Sequence, residues 1–265
     1  MQTSGEDTQS RFIDPDGRPQ LVRSAVLFLD ILGVSEMALD EKNNANNLID
    51  LDRALRRTSR DFLAEDSPWP SALLSDSLIV TDPTGPSADD AFVLGGMLIQ
   101  TAILQAQLAA SGFFARGALT ISDIHIHDGM VFGPGLVEAY RLERDRAVSP
   151  RVVLADAARS ILRKDMAGEA DPASTTQSDL LIVDQDGVVF VDYLKILLDE
   201  FDPFHELEQH RAVVEEKLAA HRDASRKWEK YRWVAEYHNH FCERTLENGP
   251  LIPEGETAMQ LKAFS

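Results

Sequence analysis

The spacing of apolar and polar positions divides the chain into short, well-punctuated elements. Ala25-Val26-Leu27-Phe28-Leu29, within 23–30, is too apolar for a half-exposed strand and predicts a central one. Gly33 breaks it, and a helical segment follows Ser35. A longer helix over about 45–64 places Leu48, Leu51, Leu55 and Phe62 on one stripe. Beyond Ser67-Pro68-Trp69-Pro70, runs 71–75 and 77–82 form a hairpin with Asp76 at its tip, and Asp82-Pro83-Thr84-Gly85-Pro86 ends it. Ser87 and Asp90 resemble a capping box for a helix to about Ala110, apolar nearly all round and so buried, which Ser111-Gly112 stops. A strand from Phe113 to Ile126, a helix over roughly 135–145, the strand Val152-Val153-Leu154, a helix at 155–164 and a polar loop at 165–178 follow. Leu180–Val183 and Val188–Val191 form a second hairpin through Asp184-Gln185-Asp186-Gly187. Pro203 to about Leu246 reads as two charged helices breaking near 222–228. The order predicts an α+β sandwich, with helices packed on a mixed, largely antiparallel sheet. Residues 1–20 read as a polar N-terminal tail, 21–200 as the main domain and 201–265 as a C-terminal helical extension.

Charge narrows the partners. With 26 Lys+Arg against 44 Asp+Glu the chain carries −18, which repels nucleic-acid phosphates and anionic membranes. A small anionic substrate stays open to it, because a few local arginines and a metal ion outweigh a distant field. The single cysteine, Cys242, excludes an intramolecular disulfide and reads as a small core residue. Met1 to Arg11 holds no apolar signal region, and no run of ~18 uninterrupted apolar residues occurs, so the expectation is a cytoplasmic protein without a membrane span.

The chemistry points to two aspartates. Asp30 closes the apolar run of the first strand, and Asp76 lies in Leu74-Ser75-Asp76-Ser77-Leu78. Carboxylates in such surroundings are costly to bury unpaired. If strand pairing brings them together they repel, unless divalent cations lie between them. Metal-assisted phosphoryl transfer uses that arrangement.

Three motifs carry a family resemblance, spanning about residues 22–195. Phe28-Leu29-Asp30-Ile31-Leu32-Gly33-Val34-Ser35 resembles the Phe-x-Asp-Ile-x-Gly-Phe-Ser/Thr signature of class III nucleotidyl cyclases. Ser75-Asp76-Ser77 resembles their second metal-binding aspartate. Gly133-Pro134-Gly135-Leu136-Val137-Glu138-Ala139-Tyr140-Arg141-Leu142-Glu143 resembles their Gly-x-x-Val-Asn-x-Ala-x-Arg-Leu-Glu helix. The departures are specific. Ala72 and Met130 stand where purine-specific members place base-reading polar groups, and Val137 stands where they carry asparagine, while Arg141 matches. Discrimination between bases rests on placed hydrogen-bonding groups, so their loss argues for a different base. With Arg116-Gly117-Ala118-Leu119, the pattern resembles the pyrimidine cyclases of bacterial antiphage (Pycsar) systems, whose cyclic UMP or cyclic CMP activates a separate effector.

The resemblance implies a class III cyclase-like fold and a cytoplasmic homodimer with its sites at the subunit interface. It implies conversion of UTP, or alternatively CTP, to the 3′,5′-cyclic monophosphate and pyrophosphate. Asp30 and Asp76, with the Ile31 carbonyl, would hold two Mn²⁺ or Mg²⁺ ions; Ile31, Gly33 and Val34 would bring backbone to the phosphates; Arg116 and Arg141 would neutralise the transferred phosphoryl group. Plainer roles compete with each. Asp30 could cap the next turn, Asp76 could be an ordinary turn residue, and Gly33 a helix-entry glycine. Arg116 could pair with surface carboxylates, and Arg141 with Glu138 or Asp145. Trp69 and Tyr140 could stack on a base, but packing is their simpler role. His125 and His127 share a strand face without a third ligand and read as satisfied histidines; His238 and His240 point apart on a helix. A nucleotide-binding regulator without catalysis is the second reading, motivated by Val137.

Overall fold

In the computed structural model, which describes residues 11–64, 67–85, 89–168, 179–199, 202–255 and 259–264, the elements follow the expected order. They are β1 (Val22–Ile31), α1 (Val34–Leu39), α2 (Asn44–Thr58), α3 (Arg60–Leu63), β2 (Ser71–Leu74), β3 (Ser77–Pro83) and α4 (Asp90–Ala110). Then come β4 (Ala115–His127), β5 (Met130–Phe132), α5 (Pro134–Arg146), β6 (Val152–Leu154), α6 (Asp156–Gly168), β7 (Leu181–Val183) and β8 (Val189–Val191). A 3₁₀ helix (Tyr193–Asp199), α7 (Pro203–Ala220), α8 (Ser225–Thr245) and β9 (Lys262–Ala263) complete the chain. The result is the α+β architecture read from the sequence. Strands run β2-β3-β1-β4-β6-β8-β7-β9, with β5 folded back on β4. Among the described strands, only β4 and β6 pair in parallel.

β1 is central, paired with β3 on one side and β4 on the other. Its even-numbered side chains face α5, where Phe28 meets Tyr140 edge-on at 5.8 Å. Helix α4 also packs on β1, so neither face is open and the run is continuously apolar. Helix α4 is long and apolar enough to cross a membrane, but its buried positions, from Ala91 to Ala109, make it the core helix. Its cap is Asp89, whose carboxylate accepts from Phe92 N at 2.8 Å; Ser87, expected to cap it, lies outside the described residues.

Three boundaries differ from expectation. The stripe on α2 holds from Leu51 to Leu55, whereas Leu48, nearer its N-terminus, is exposed and Phe62 is buried from the separate α3. The 155–164 helix runs on to Gly168 through residues expected to be loop. Phe12, within the expected polar tail, is fully buried against His125. The C-terminal helices add Leu207, Val214, Val234 and Tyr237 to the same continuous core.

A buried polar chain ties α7 and α8 to the 3₁₀ helix and to the segment at Pro250. His238 Nε2 lies 2.7 Å from the Pro250 carbonyl, which can only accept, so Nε2 carries the hydrogen. Neutral His238 then accepts at Nδ1 from His210 Nδ1–H, 3.0 Å away. His210 Nε2 in turn accepts from the Tyr193 hydroxyl at 2.9 Å. Burial pushes His238 down to about 4, and burial with the neighbouring His238 puts His210 well below its usual range. Between about 6.5 and about 4 the folded His238 therefore binds fewer protons than the unfolded chain, and its contribution to stability shrinks as pH falls through that window. Ring-nitrogen NMR at pH near 6 should show neutral His238 protonated at Nε2 and neutral His210 protonated at Nδ1. Ordinary titration of either ring near ~6.5 would contradict the assignment. Tyr193→Phe removes the donor to buried His210 and should cost about 1–3 kcal/mol in denaturant unfolding.

Candidate active site

The register of the central strands brings the two aspartates together. Asp30 pairs with Ser77 across β1 and β3, and Ile31 N donates to the Asp76 carbonyl at 2.9 Å. Asp76 therefore sits in the β2–β3 turn beside the end of β1, and its Oδ2 lies 3.4 Å from the Ser35 hydroxyl. Gly33 adopts φ 88°, a left-handed turn that releases the chain from β1 into α1 within two residues.

Across the other edge of β1, Asp30 pairs directly with Arg116 of β4. Arg116 Nε donates to Asp30 Oδ2 at 2.9 Å. The same nitrogen lies 2.8 Å from Glu143 Oε1 on α5, an ion contact rather than a directed hydrogen bond, since Glu143 Oε1 has no hydrogen-bond donor. Gly117 makes this approach possible, because a Cβ there would lie 2.3 Å from the Phe28 carbonyl oxygen. Burial raises the Asp30 pKa, Arg116 opposes that, and Asp76 adds to the rise. Glu143 is likewise raised by burial and opposed by Arg116. Lys230 of α8 is near enough to act on both carboxylates, and its own pKa is lowered by burial and by Arg116.

Asp30, Ile31, Gly33, Val34, Asp76 and Arg116 thus gather at one end of β1. Arg141 does not join them. It is two residues from Glu143 on α5, and successive helix positions turn by ~100°, so it projects to roughly the opposite side. There it is exposed and lines a separate cleft of about 760 Å³ with Val153, Asp156 and Arg159. The plainer pairings are not made: Glu138 accepts from Thr120 at 2.7 Å, and Asp145 pairs with Arg144. Arg116 does pair with carboxylates, though not with surface ones.

The remaining candidates take packing roles. Trp69 lies against Phe62 at 5.3 Å and close to Asp82, whose pKa burial raises to about 6. His125 is buried with Nδ1 3.1 Å from the Gln20 carbonyl, and His127 sits beside Asp128. Cys242 is a buried free thiol. Two members of the site were not singled out from the sequence. Glu143 was visible only as the last letter of the helix motif, and Lys230 lies on a charged helix where nothing marked it.

The donor set at Asp30 and Asp76 is two carboxylates with a backbone carbonyl between them in sequence, hard oxygen ligands suited to Mg²⁺ or Mn²⁺. Desolvation and mutual repulsion raise Asp30, and a divalent cation would relieve both, so the residues fit such an ion. Among the described residues no group of three or more His, Cys, Asp or Glu side chains could hold a metal, so backbone or ligand oxygens must complete the shell.

No protein-family model matches the chain, and no curated protein matches its sequence. Among solved structures it is similar to the adenylyl cyclase CyaB from P. aeruginosa, at 17% identity over 65% of this chain and 93% of that one, with a TM-score of 0.42. It is similar also to the guanylyl cyclase Cya2, at 10% identity over 65% and 91% of the two chains, TM-score 0.43. A class III adenylyl cyclase-like ATP-binding protein from Pseudomonas aeruginosa shares 13% identity over 57% of this chain and 37% of that one, TM-score 0.40. Likenesses of this extent leave the chemistry to be argued from the residues themselves.

Removing Arg116 leaves two carboxylates in a largely buried setting without their shared cation. Arg116→Leu should lower the unfolding free energy by about 3 kcal/mol, and Glu143→Gln in that background should recover part of it. Urea unfolding with a double-mutant cycle measures both. A single-variant loss within ~0.5 kcal/mol, the size of an ordinary surface change, would show that the contact holds nothing together.

Proposed function

We propose that the protein is a homodimeric, cytoplasmic nucleotidyl cyclase acting on a pyrimidine nucleoside triphosphate. It takes UTP, with CTP the alternative, to the 3′,5′-cyclic monophosphate and pyrophosphate. The observation that carries the reading is the placement of Asp30 and Asp76 side by side at the end of β1. The three motifs and the apolar Ala72 and Met130 supply the reaction and the base. Met130 is exposed on β5, beyond the far end of β4 from Arg116, so it can read a base only in a site that another chain completes.

Arg141 supports the two-chain arrangement. It faces away from Asp30 within its own chain, so it reaches a phosphoryl group at Asp30 and Asp76 only from a second copy. Exposed Val137 and Tyr140 on α5, Phe132 on β5, and Leu73 and Leu74 on the hairpin offer apolar surface around these two regions for a two-fold contact.

In the reaction the ribose 3′-hydroxyl gives up its proton to solvent, its oxygen bonds the α-phosphorus, the bond from that phosphorus to the α–β bridging oxygen breaks, and pyrophosphate leaves. Asp30, Asp76 and the Ile31 carbonyl would hold two divalent ions, which when bound lower the hydroxyl pKa and neutralise the triphosphate. Arg116 opposes the burial-driven rise of the Asp30 pKa and fixes the carboxylate through Oδ2. The partner's Arg141 meets the charge that builds on the transferred group. Gly33, at φ 88°, allows the left-handed turn that would bring backbone toward the phosphates. Such a product would act as a second messenger, with a separate cyclic-nucleotide-activated effector and an antiphage role as the resemblance implies.

A nucleotide-binding regulator is the second reading, favoured by one feature: Asp30 already holds Arg116 as its cation, and Val137 replaces a hydrogen-bonding side chain. The purified protein should convert UTP or CTP with Mn²⁺ to a cyclic product identified by mass spectrometry. Product from ATP or GTP alone would remove the base assignment. Tight metal-dependent binding without any product would favour the regulator. Asp30→Ala and Asp76→Ala should each abolish turnover while leaving the unfolding transition cooperative, and retained turnover would overturn the metal assignment.

A further inference from the structure

We propose that the cleft between the turn after β1 and the C-terminal helices α7 and α8 is a binding site for a polyphosphate. Three of the chain's seven lysines, Lys217, Lys227 and Lys230, line this cleft of about 330 Å³ in a protein of net charge −18. Two carboxylates share it, and neither neutralises all three. Asp40 is engaged by its own turn, accepting from Asn43 Nδ2 at 2.9 Å and from Lys42 N at 3.2 Å. Glu36 holds only Lys227, at 3.2 Å. Lys217 and Lys230 have no carboxylate within 4.0 Å among the described residues. His221, stacked on Tyr231 at 5.3 Å, forms part of the wall, and burial together with Lys227 and Lys217 lowers its pKa. The three lysines therefore concentrate positive potential in the cleft, offset in part by Glu36 on Lys227 and, at longer range, by Asp30 and Glu143 on Lys230.

Position decides which anion fits. The floor is Leu32 and Gly33, immediately after the Asp30-Ile31 pair, and Lys230 stands between the cleft and the Asp30–Arg116–Glu143 cluster. Ammonium groups on two helices, facing a backbone turn, suit several linked phosphates rather than one. Two sources supply that chemistry. One is the β- and γ-phosphates of a nucleotide whose ribose end lies at Asp30 and Asp76, which rests on the cyclase reading; the other is free pyrophosphate or a similar separate ligand, which does not.

Calorimetric titration of the full chain with sodium pyrophosphate, in metal-free buffer with chelator at physiological ionic strength, should give saturable binding at one site per chain. Lys217→Gln and Lys230→Gln together should weaken it by about tenfold or more per lysine at an unchanged unfolding midpoint. Lys217→Gln alone, on a part-exposed side chain, keeps the comparison if the double variant unfolds. Absence of saturable binding, sulfate binding as tight as pyrophosphate, or unchanged affinity in the folded variants would overturn the site. Competitive inhibition of Mn²⁺–UTP turnover by pyrophosphate, with a raised KM in the lysine variants, assigns the nucleotide tail. Pyrophosphate binding that persists under saturating UTP assigns a separate ligand. Lysine-dependent binding in a chain that forms no cyclic product would retain this site and remove the cyclase reading.

Discussion

The guanidinium of Arg116, held between Asp30 and Glu143, is the contact on which the site's architecture rests. Three elements meet there: the end of β1, the start of β4 and the last turns of α5. Burial raises the pKa of both carboxylates, so each would drift toward its neutral form without a cation. The shared arginine opposes that rise at Asp30 and draws its Oδ2 toward β4, on the side of β1 away from the Asp76 turn. Gly117 next to it removes the Cβ that would push β4 away from β1. Structural integrity and chemical readiness therefore depend on the same few atoms.

That dependence shapes how charge is distributed. The chain is strongly acidic, yet Arg116 and Lys230 converge at one end of the sheet, with Lys217 and Lys227 beyond them. A site for a highly anionic molecule in an acidic protein needs local cations, because distant carboxylates are screened within about a Debye length, ~8 Å. Arg141 lies on the other side of α5, and the helix places it there by its pitch alone. Half of the arginine pair expected to serve one phosphoryl group therefore belongs, in the proposed dimer, to the neighbouring copy.

The C-terminal helices have a larger part than their charged sequence suggested. Their buried histidines, His210 and His238, form a hydrogen-bonded chain with Tyr193 that ends on the Pro250 carbonyl. Each ring has one defined donor and one defined acceptor, so the helices dock in one arrangement. Lys230 is thereby fixed next to Asp30, and the cleft acquires its cationic wall.

Local periodicity made most of the fold legible before any coordinates. The run through Phe28 could only be a strand covered on both faces, the stretch from Asp90 to Ala110 only a buried helix, and Ser75-Asp76 only a turn between two strands. Those readings hold because burial and turn geometry act over a few neighbouring residues. Asp30 and Asp76 stood out because a carboxylate in an apolar run is costly to bury unpaired, and Arg116 stood out through the family resemblance. The sequence could not show that Arg116 lies opposite Asp30, that Glu143 closes over it, or that Lys230 arrives from a helix 200 residues further on. Strand register and helix docking decide such contacts, and both are set by the packing of the whole core rather than by any segment within it.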